Sequence, residues 1–320
     1  MRTYITRRLL LFVPTLFGAS LLIFVLMRLV PGDIAEILVY QTGSESSAVQ
    51  KRQIEQIRRE LGLDRPVATQ YLAWLAGAVR GDFGYSYSQR RPVNEILAER
   101  FPRSMELATV TLLLAALWAI PLGVVSAVRQ NTWLDYVVRV LSISGLSLPI
   151  FFTGVLILYL LVRVFRWLPP LEYVSLTEAP VENLKQLIWP ALAQAYYISA
   201  PIMRLTRSQM LEVVRQDYVR TARAKGLGER IVIIKHVVRN ALIPVVTLIA
   251  LQMPAIFGGA IVTEQIFRIP GIGSLLIDAI LRNDTPVIMG VTFVFSCLVI
   301  IFNLIADLLY GWLDPRISYR

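Results

Sequence analysis

Long apolar runs, each near the length of a membrane span, alternate along this chain with polar segments rich in arginine. Six runs qualify, at about 9–30, 106–128, 140–162, 187–205, 241–262 and 287–312. A bilayer core of about 30 Å takes about 20 helical residues, so the pattern predicts an all-α integral membrane protein with six transmembrane helices. The fourth run is the weakest. Gln194, Tyr196, Tyr197, Ser199 and Pro201 lower its hydropathy. Such groups are costly against lipid and are expected to face other helices or a water-filled path.

The polar segments orient the spans. Arg2, Arg7 and Arg8 precede the first, and Arg129 and Arg139 flank the loop between the second and third. The segment 207–239 holds eight Lys or Arg against three Asp or Glu, and Arg316 and Arg320 lie in the tail. The alternate short loops carry Glu172, Glu178, Glu182, Asp278 and Asp284. The positive-inside rule then predicts both termini in the cytoplasm. The loop 31–103, with ten basic and nine acidic residues, is long enough to translocate whatever its charge. The basic start before the first run resembles a signal peptide. The run is long enough to span, however, and no small-residue cleavage site precedes Pro31-Gly32-Asp33, so a retained helix is expected.

That large loop has helical patterning of its own. Ser46 can cap a helix through Val49, Ile54, Ile57 and Leu61, with Gly62 as its stop. A second short helix is expected after Pro66, with Tyr71, Trp74, Leu75 and Ala78 on one side. Gly81-Asp82-Phe83-Gly84 then reads as a turn. The organisation predicted is a first span in 1–30, a folded outer subdomain in 31–105 and a five-helix core in 106–320.

Composition agrees with a membrane protein: 56% of the 320 residues are hydrophobic and 17% charged, with mean hydropathy +0.59. The net charge of +10 argues little for nucleic acid, because the basic residues cluster between spans. The one cysteine, Cys297, lies in an apolar run, so no internal disulfide is possible. The single histidine, His236, lacks neighbouring ligands and makes a poor metal site. Arg28 and Asp307 lie near span ends. Arg28 can snorkel, and Asp307 can pair with a basic loop residue such as Arg220 or Arg316, or be solvated. Pro149, Pro201, Pro244 and Pro254 fall in or near spans, where they bend helices or are simply tolerated. The turn Pro270-Gly271-Ile272-Gly273 leads into a short apolar segment that either dips into the membrane or lies on its surface.

The basic connector, 207–240, is the one segment whose chemistry invites a partner. Leu211, Val214, Tyr218, Thr221 and Ala222 recur at helical spacing, Gly226 is a natural stop and Gly228 allows a second reversal. Ala222, Ala224 and Gly226 permit close backbone approach, and Arg220, Arg223 and Lys225 can pair with a partner's acidic groups. The residues alone leave a docking surface and a plain basic loop equally open.

The run DYVRTARAKGLGERIVIIKHVVRNALIP at 217–244 resembles the "EAA" loop of ABC-importer permeases in its dipeptide/oligopeptide version. The likeness continues in RRLLLFVPTLFGASLLIFVLMRLVPGD (7–33), GDFGYSYSQRRPVNEILAERFPRSMELA (81–108), FRIPGIGSLLIDAI (267–280) and NLIADLLYGWLDPRI (303–317). It covers nearly the whole chain. The large outer loop favours the first, B-type, of the two permease subunits. One departure is that Arg220-Thr221-Ala222-Arg223-Ala224 stands where the general motif begins Glu-Ala-Ala.

The resemblance implies an ATPase-coupling loop carried by Arg220, Thr221, Ala222, Arg223, Ala224, Lys225 and Gly226. It also implies a homologous second permease, two ABC ATPase domains that bind ATP and Mg, an extracytoplasmic substrate-binding protein, and a bacterial or archaeal inner membrane. The implied cargo is di- or oligopeptides, with nickel chelates, glutathione or sugars as alternatives. No cofactor, metal or nucleic acid is expected in this chain. Gln194, Tyr197 and Gln252 are candidate path residues, or else static interhelical ties. The chain has no P-loop ending Gly-Lys-Ser or Gly-Lys-Thr and no evident catalytic constellation. An ATP-independent transporter would need inverted repeats or intramembrane ion ligands, which the pattern does not offer.

Overall fold

The computed structural model describes residues 2–29, 54–56, 58–59, 63–170 and 172–313. The helix expected from Ser46 to Gly62 lies, apart from 54–56 and 58–59, outside the described residues, as do Arg316 and Arg320. The helices are α1 (Arg2–Leu29), α2 (Val67–Val79), α3 (Val93–Val128), α4 (Trp133–Ser147), α5 (Ile150–Arg163), α6 (Pro180–Val213) and α7 (Asp217–Ala224). They continue as α8 (Glu229–Leu251), α9 (Met253–Phe267), α10 (Ile272–Leu281) and α11 (Thr285–Leu313). A small antiparallel hairpin pairs β1 (Tyr85–Ser86) with β2 (Arg91–Pro92), in register Tyr85↔Pro92 and Ser86↔Arg91.

The helical membrane class holds, but the spans are not all those that hydropathy outlines. Four described helices, α1, α3, α8 and α11, are long and apolar enough to cross a membrane. The bent pairs α4–α5 and α9–α10 raise the number to six if each counts as one span. The third expected span, 140–162, is two helices meeting at 109°. Pro149 offers no N–H to continue α4, and it holds Leu148 in the extended region at φ −87° and ψ 124°. The fifth, 241–262, is interrupted at Gln252, because Pro254 in the first turn of α9 cannot bond back to the preceding turn. The second begins well before residue 106. α3 has 36 residues, runs through the expected 105/106 boundary and extends about 54 Å, beyond a bilayer core.

Within α8, Val232–Val238 is π-helical. α6 has 34 residues, is the least apolar of the expected spans, and is sheltered among the other helices. Leu187, Ala191, Ala195, Ile198 and Ile202 are all fully buried. Its main neighbour is α3, which turns a four-residue repeat toward the interior: Leu107, Thr111, Ala115, Ala119, Gly123 and Ala127 are buried in succession. Small residues at this spacing let two backbones approach without a gap. A Cβ on Gly123 would come within 2.6 Å of the Thr206 Cβ and 2.9 Å of the Met203 carbonyl oxygen.

The outer helix α2 packs as its periodicity predicts. Tyr71 and Ala78 are buried, with Trp74 and Leu75 beside them, against Ile23 and Phe24 of α1 and Phe293 of α11. Tyr71 shares a 2.8 Å hydroxyl hydrogen bond with Ser20, and Arg28 donates to Gln70 at 2.7 Å. Arg28 is therefore bonded to the outer segment as well as lying near a span end. The expected turn at 81–84 is present, with Gly81 at φ +81° and Gly84 at φ +86°. Asp307 pairs with Arg8 at 2.7 Å and joins α1 to α11, a partner the sequence reading had not considered.

The α3–α6 seam sets a clear expectation. Gly123→Ala should destabilise the protein by about 1–3 kcal/mol, because backbone atoms of α6 must move. Gly258→Ala, whose added carbon meets nothing within 4 Å, should be neutral. Thermal denaturation of the purified variants in detergent measures both, and equal melting temperatures would contradict the seam.

Candidate functional site: the basic connector and its anchorage

Helix α6 ends at Val213, and three residues later the chain enters the short helix α7. The face of α7 turned inward is apolar. Val219 and Ala222 are buried with Met210 of α6, Ala127 of α3 and Val232, Val237 and Ala241 of α8. Its other face is polar and exposed. The helix closes in a Schellman arrangement: Gly226 N–H donates to the Arg223 carbonyl at 2.9 Å, and Leu227 N–H to the Ala222 carbonyl at 3.4 Å. Gly226 takes φ +78°, where a side chain is strained even though nothing lies within 4 Å of an added Cβ. The connector turn is thus short, defined and open to the outside.

The residues expected at a docking surface divide into two groups. Arg220, Thr221, Arg223, Ala224, Lys225 and Gly226 are exposed, whereas Ala222 belongs to the inner face. Two of the three cations already have carboxylate neighbours. Arg223 makes a two-point contact with Glu229 at 2.7 and 3.1 Å, closing the turn between α7 and α8. Arg220 lies 3.4 Å from Asp217. Both pairs are exposed and weakly held, so a partner carboxylate can compete for them. Thr221 donates to the Asp217 carbonyl at 2.9 Å, a contact within α7. The His236 carbonyl accepts from Asn240 at 2.9 Å, and Tyr218 accepts from the same amide at 3.0 Å. These bonds hold the connector to the first turns of α8.

The root of the connector is held by a carboxylate that the sequence reading did not single out. Asp135, in the first turn of α4, is wholly enclosed. It accepts from Arg207 Nε at 2.7 Å and Nη2 at 2.9 Å, from Ser126 Oγ at 2.5 Å and from the Asn131 N–H at 3.1 Å. Four donors on two oxygens satisfy the buried charge, and the paired guanidinium fixes its orientation. The last turn of α3, the loop 129–132, the start of α4 and the end of α6 therefore meet at one group. Arg207 precedes α7 by ten residues. The only sequence signal was an Asp beside an Arg-rich loop, a pattern shared with many solvated turns.

The candidate path residues have different surroundings. Gln194 is fully buried. Its amide donates to the Ile256 carbonyl, its carbonyl accepts from Thr111 at 3.4 Å, and it abuts Gly259. It joins α6 to α3 and α9 and is an interhelical tie in this arrangement. Tyr197 is half-buried against the main core. Gln252 is half-buried at the break between α8 and α9.

At the other end of α3, three carboxylates organise the remaining loops. Glu264 accepts from Ser104 Oγ at 2.6 Å and the Ser274 N–H at 2.8 Å, and so caps the start of α10. A Cβ on Gly271 would lie 2.3 Å from this carboxyl, which explains a glycine there. Glu106 accepts from Tyr173 and from Asn183 at 2.9 Å. Asp284 accepts from Ser86 and Ser88 hydroxyls at 2.6 Å each. The turn 270–273 thus leads into a helix whose first turn is buried and which is bent by 73° from α9. Among the described residues, no three His, Cys, Asp or Glu side chains form a group able to hold a metal ion.

Comparison with known proteins covers nearly the whole chain. The family described as binding-protein-dependent transport system inner membrane component matches residues 119–319, and its N-terminal counterpart matches residues 1–108. The oligopeptide transport system permease protein AppB of Bacillus subtilis (strain 168) is 40% identical over the full length of both chains. The glutathione transport system permease protein GsiC of Escherichia coli (strain K12) is 37% identical, again over both full lengths.

Asp135→Ala should leave Arg207 unpaired and cost about 3 kcal/mol, the low end for a broken buried pair because Arg207 keeps some solvent contact. The Asp135→Ala/Arg207→Ala double variant should recover part of the loss. A thermal double-mutant cycle measures the coupling, and strict additivity would show that the pair does not act as a unit.

Proposed function

The chain belongs to the family of inner-membrane components of binding-protein-dependent transport systems, and from that premise we propose that it is the first, B-type, permease subunit of an importer for di- or oligopeptides. It is a permease of an ATP-driven importer and not itself the catalytic component. The observation that carries the cargo is the full-length 40% identity to an oligopeptide permease. Glutathione is the second reading, favoured by the full-length likeness to a glutathione permease. Glutathione is itself a small peptide, so the two readings share a chemistry.

In this reading a second permease completes the passage, a binding protein delivers cargo outside, and two ATPase domains holding ATP and Mg dock on the connector. The exposed face of α7 and the turn at 225–228 form the contact, while Val219 and Ala222 anchor it from within. Closure of the ATPases displaces α7, and the Asp135–Arg207 cluster passes the displacement to α3, α4 and α6 as one body. Among the three path candidates, Gln252 is the strongest, since it sits at a helix break and Gln194 is already committed to neighbouring helices.

The orientation, with both termini in the cytoplasm, follows from loop charge. In a Cys297→Ser background, a cysteine replacing Glu178 should react with an impermeant reagent added to intact cells, and one replacing Lys225 should react only after the membrane is opened. The opposite pattern inverts the topology.

Docking and cargo are tested together in vesicles holding the purified complex and its binding protein. Peptides should stimulate ATP hydrolysis and enter the vesicles. Gly226→Val should lower stimulated hydrolysis about tenfold or more and weaken retention of the ATPase, whereas Gly226→Asn, which tolerates positive φ, should keep most of both. Full coupling in Gly226→Val would remove this turn from the contact. Stimulation by glutathione but by no other peptide would select the second reading.

A further inference from the structure

A cleft of about 470 Å³ lies between the last turns of α3, the start of α4 and the first turns of α8. That is within the range of about 300–1,000 Å³ usual for small-molecule sites. Its walls are apolar: Val124, Val125 and Val128 from α3, Leu134 from α4, and Ile233 and Ile234 from the π-helical stretch. Val128 and Ile234 are 50% and 58% exposed, so the protein itself leaves the cleft open.

The charged rim is cationic. Arg129 and Arg230 both line the cleft, and both are exposed. Among the described residues neither makes a side-chain hydrogen bond or ion pair. The one carboxylate in the lining, Glu229, is already engaged by Arg223 at 2.7 and 3.1 Å. Two unpaired guanidiniums therefore face one opening, an arrangement suited to a phosphate.

The depth of the cleft identifies the source of that phosphate. The expected second span ends at Val128, so Arg129 stands where that apolar run stops, and Arg230 lines the same cleft from the start of α8, ahead of Lys235, His236 and Arg239. Trp133 and Tyr136, in the first turn of α4 beside the lining residue Leu134, are 71% and 54% exposed, and Arg139 sits 5.6 Å over the Tyr136 ring. Exposed Trp and Tyr at this position mark a membrane–water boundary. Below the arginines the walls offer only hydrocarbon.

We propose that this cleft binds one anionic phospholipid, with its phosphate between Arg129 and Arg230 and an acyl chain along the α3 and π-helical walls. The lipid then covers one side of the helix ends that Asp135 ties together, against the α8 end of the connector. Anionic lipid in the adjoining leaflet supplies the ligand at high local concentration.

Native mass spectrometry of the purified permease, in whatever complex it is isolated with, tests the assignment using micelles doped with phosphatidylglycerol or phosphatidylcholine. One phosphatidylglycerol should be retained per permease, and phosphatidylcholine should not. Arg129→Gln/Arg230→Gln should weaken retention about thirtyfold, taking each arginine at the membrane surface as worth about fivefold. Val128→Trp, which fills the cleft and keeps the charges, should also abolish it, while Arg139→Gln should retain the lipid. Unchanged retention in the double variant, or equal loss in Arg139→Gln, overturns the proposal. Displacement of the lipid by millimolar inorganic phosphate would make the site a free-anion site and also overturn it. Loss of the second permease or the ATPase from Val128→Trp, with phosphatidylglycerol still bound, would assign the cleft to a protein and reject the lipid.

Discussion

Helix α6 carries too many polar groups to face hydrocarbon, and the arrangement of its neighbours follows from enclosing it. Along its length Asn183, Gln186, Gln194, Ser199, Thr206 and Arg207 all need partners. An unpaired amide in an apolar medium costs several kcal/mol. Each of these side chains bonds within the bundle: Asn183 to Glu106 and the 173–174 segment, Gln186 to the Glu172 carbonyl, Gln194 to α3 and α9, and Arg207 to α4. The small-residue repeat on α3 is what allows this enclosure. With Ala115, Ala119 and Gly123 on the seam, the two longest helices meet at backbone distance and exclude lipid between them.

The same device recurs at both ends of the molecule. Loops are fastened by single carboxylates that collect several donors, a way to hold irregular backbone where it cannot be solvated. Asp135 does this on the connector side, and Glu106, Glu264 and Asp284 do it on the other. Asp284 leaves one buried oxygen without a partner among the described residues, so its site is less completely satisfied than that of Asp135. The connector side is thus tied at one fully satisfied group, and the opposite face is assembled from separate loop contacts.

The basic connector gains a physical description from this geometry. Its helix is amphipathic on a very short scale: two small apolar residues hold it to the bundle, and the remaining positions face outward. The Schellman closure fixes where the chain reverses, which explains why a glycine stands at Gly226 even though no atom crowds it. The requirement there is conformational, since an L side chain is disfavoured at φ +78°.

Much of this could be read from the chain alone. The apolar runs, the amphipathic helix after Pro66, the glycine stop at the connector and the family likeness are properties of local period and contiguous motif, so hydropathy and spacing suffice to find them. Other features depend on how helices are rotated and how deep each one sits, which local pattern does not encode. Asp135 meets Arg207 across 72 positions, Asp307 meets Arg8 instead of Arg220 or Arg316, and Ala222 turns inward while its neighbours face out. Pro149 and Pro254 were visible as potential bends, but only packing decided that each would end a helix. The sequence by itself determined that this chain is a multi-span permease with a basic connector between its helices. The tertiary structure decided which polar groups are ties and which stay open, because each pairing is made between helices whose separation along the chain says nothing about their distance in space.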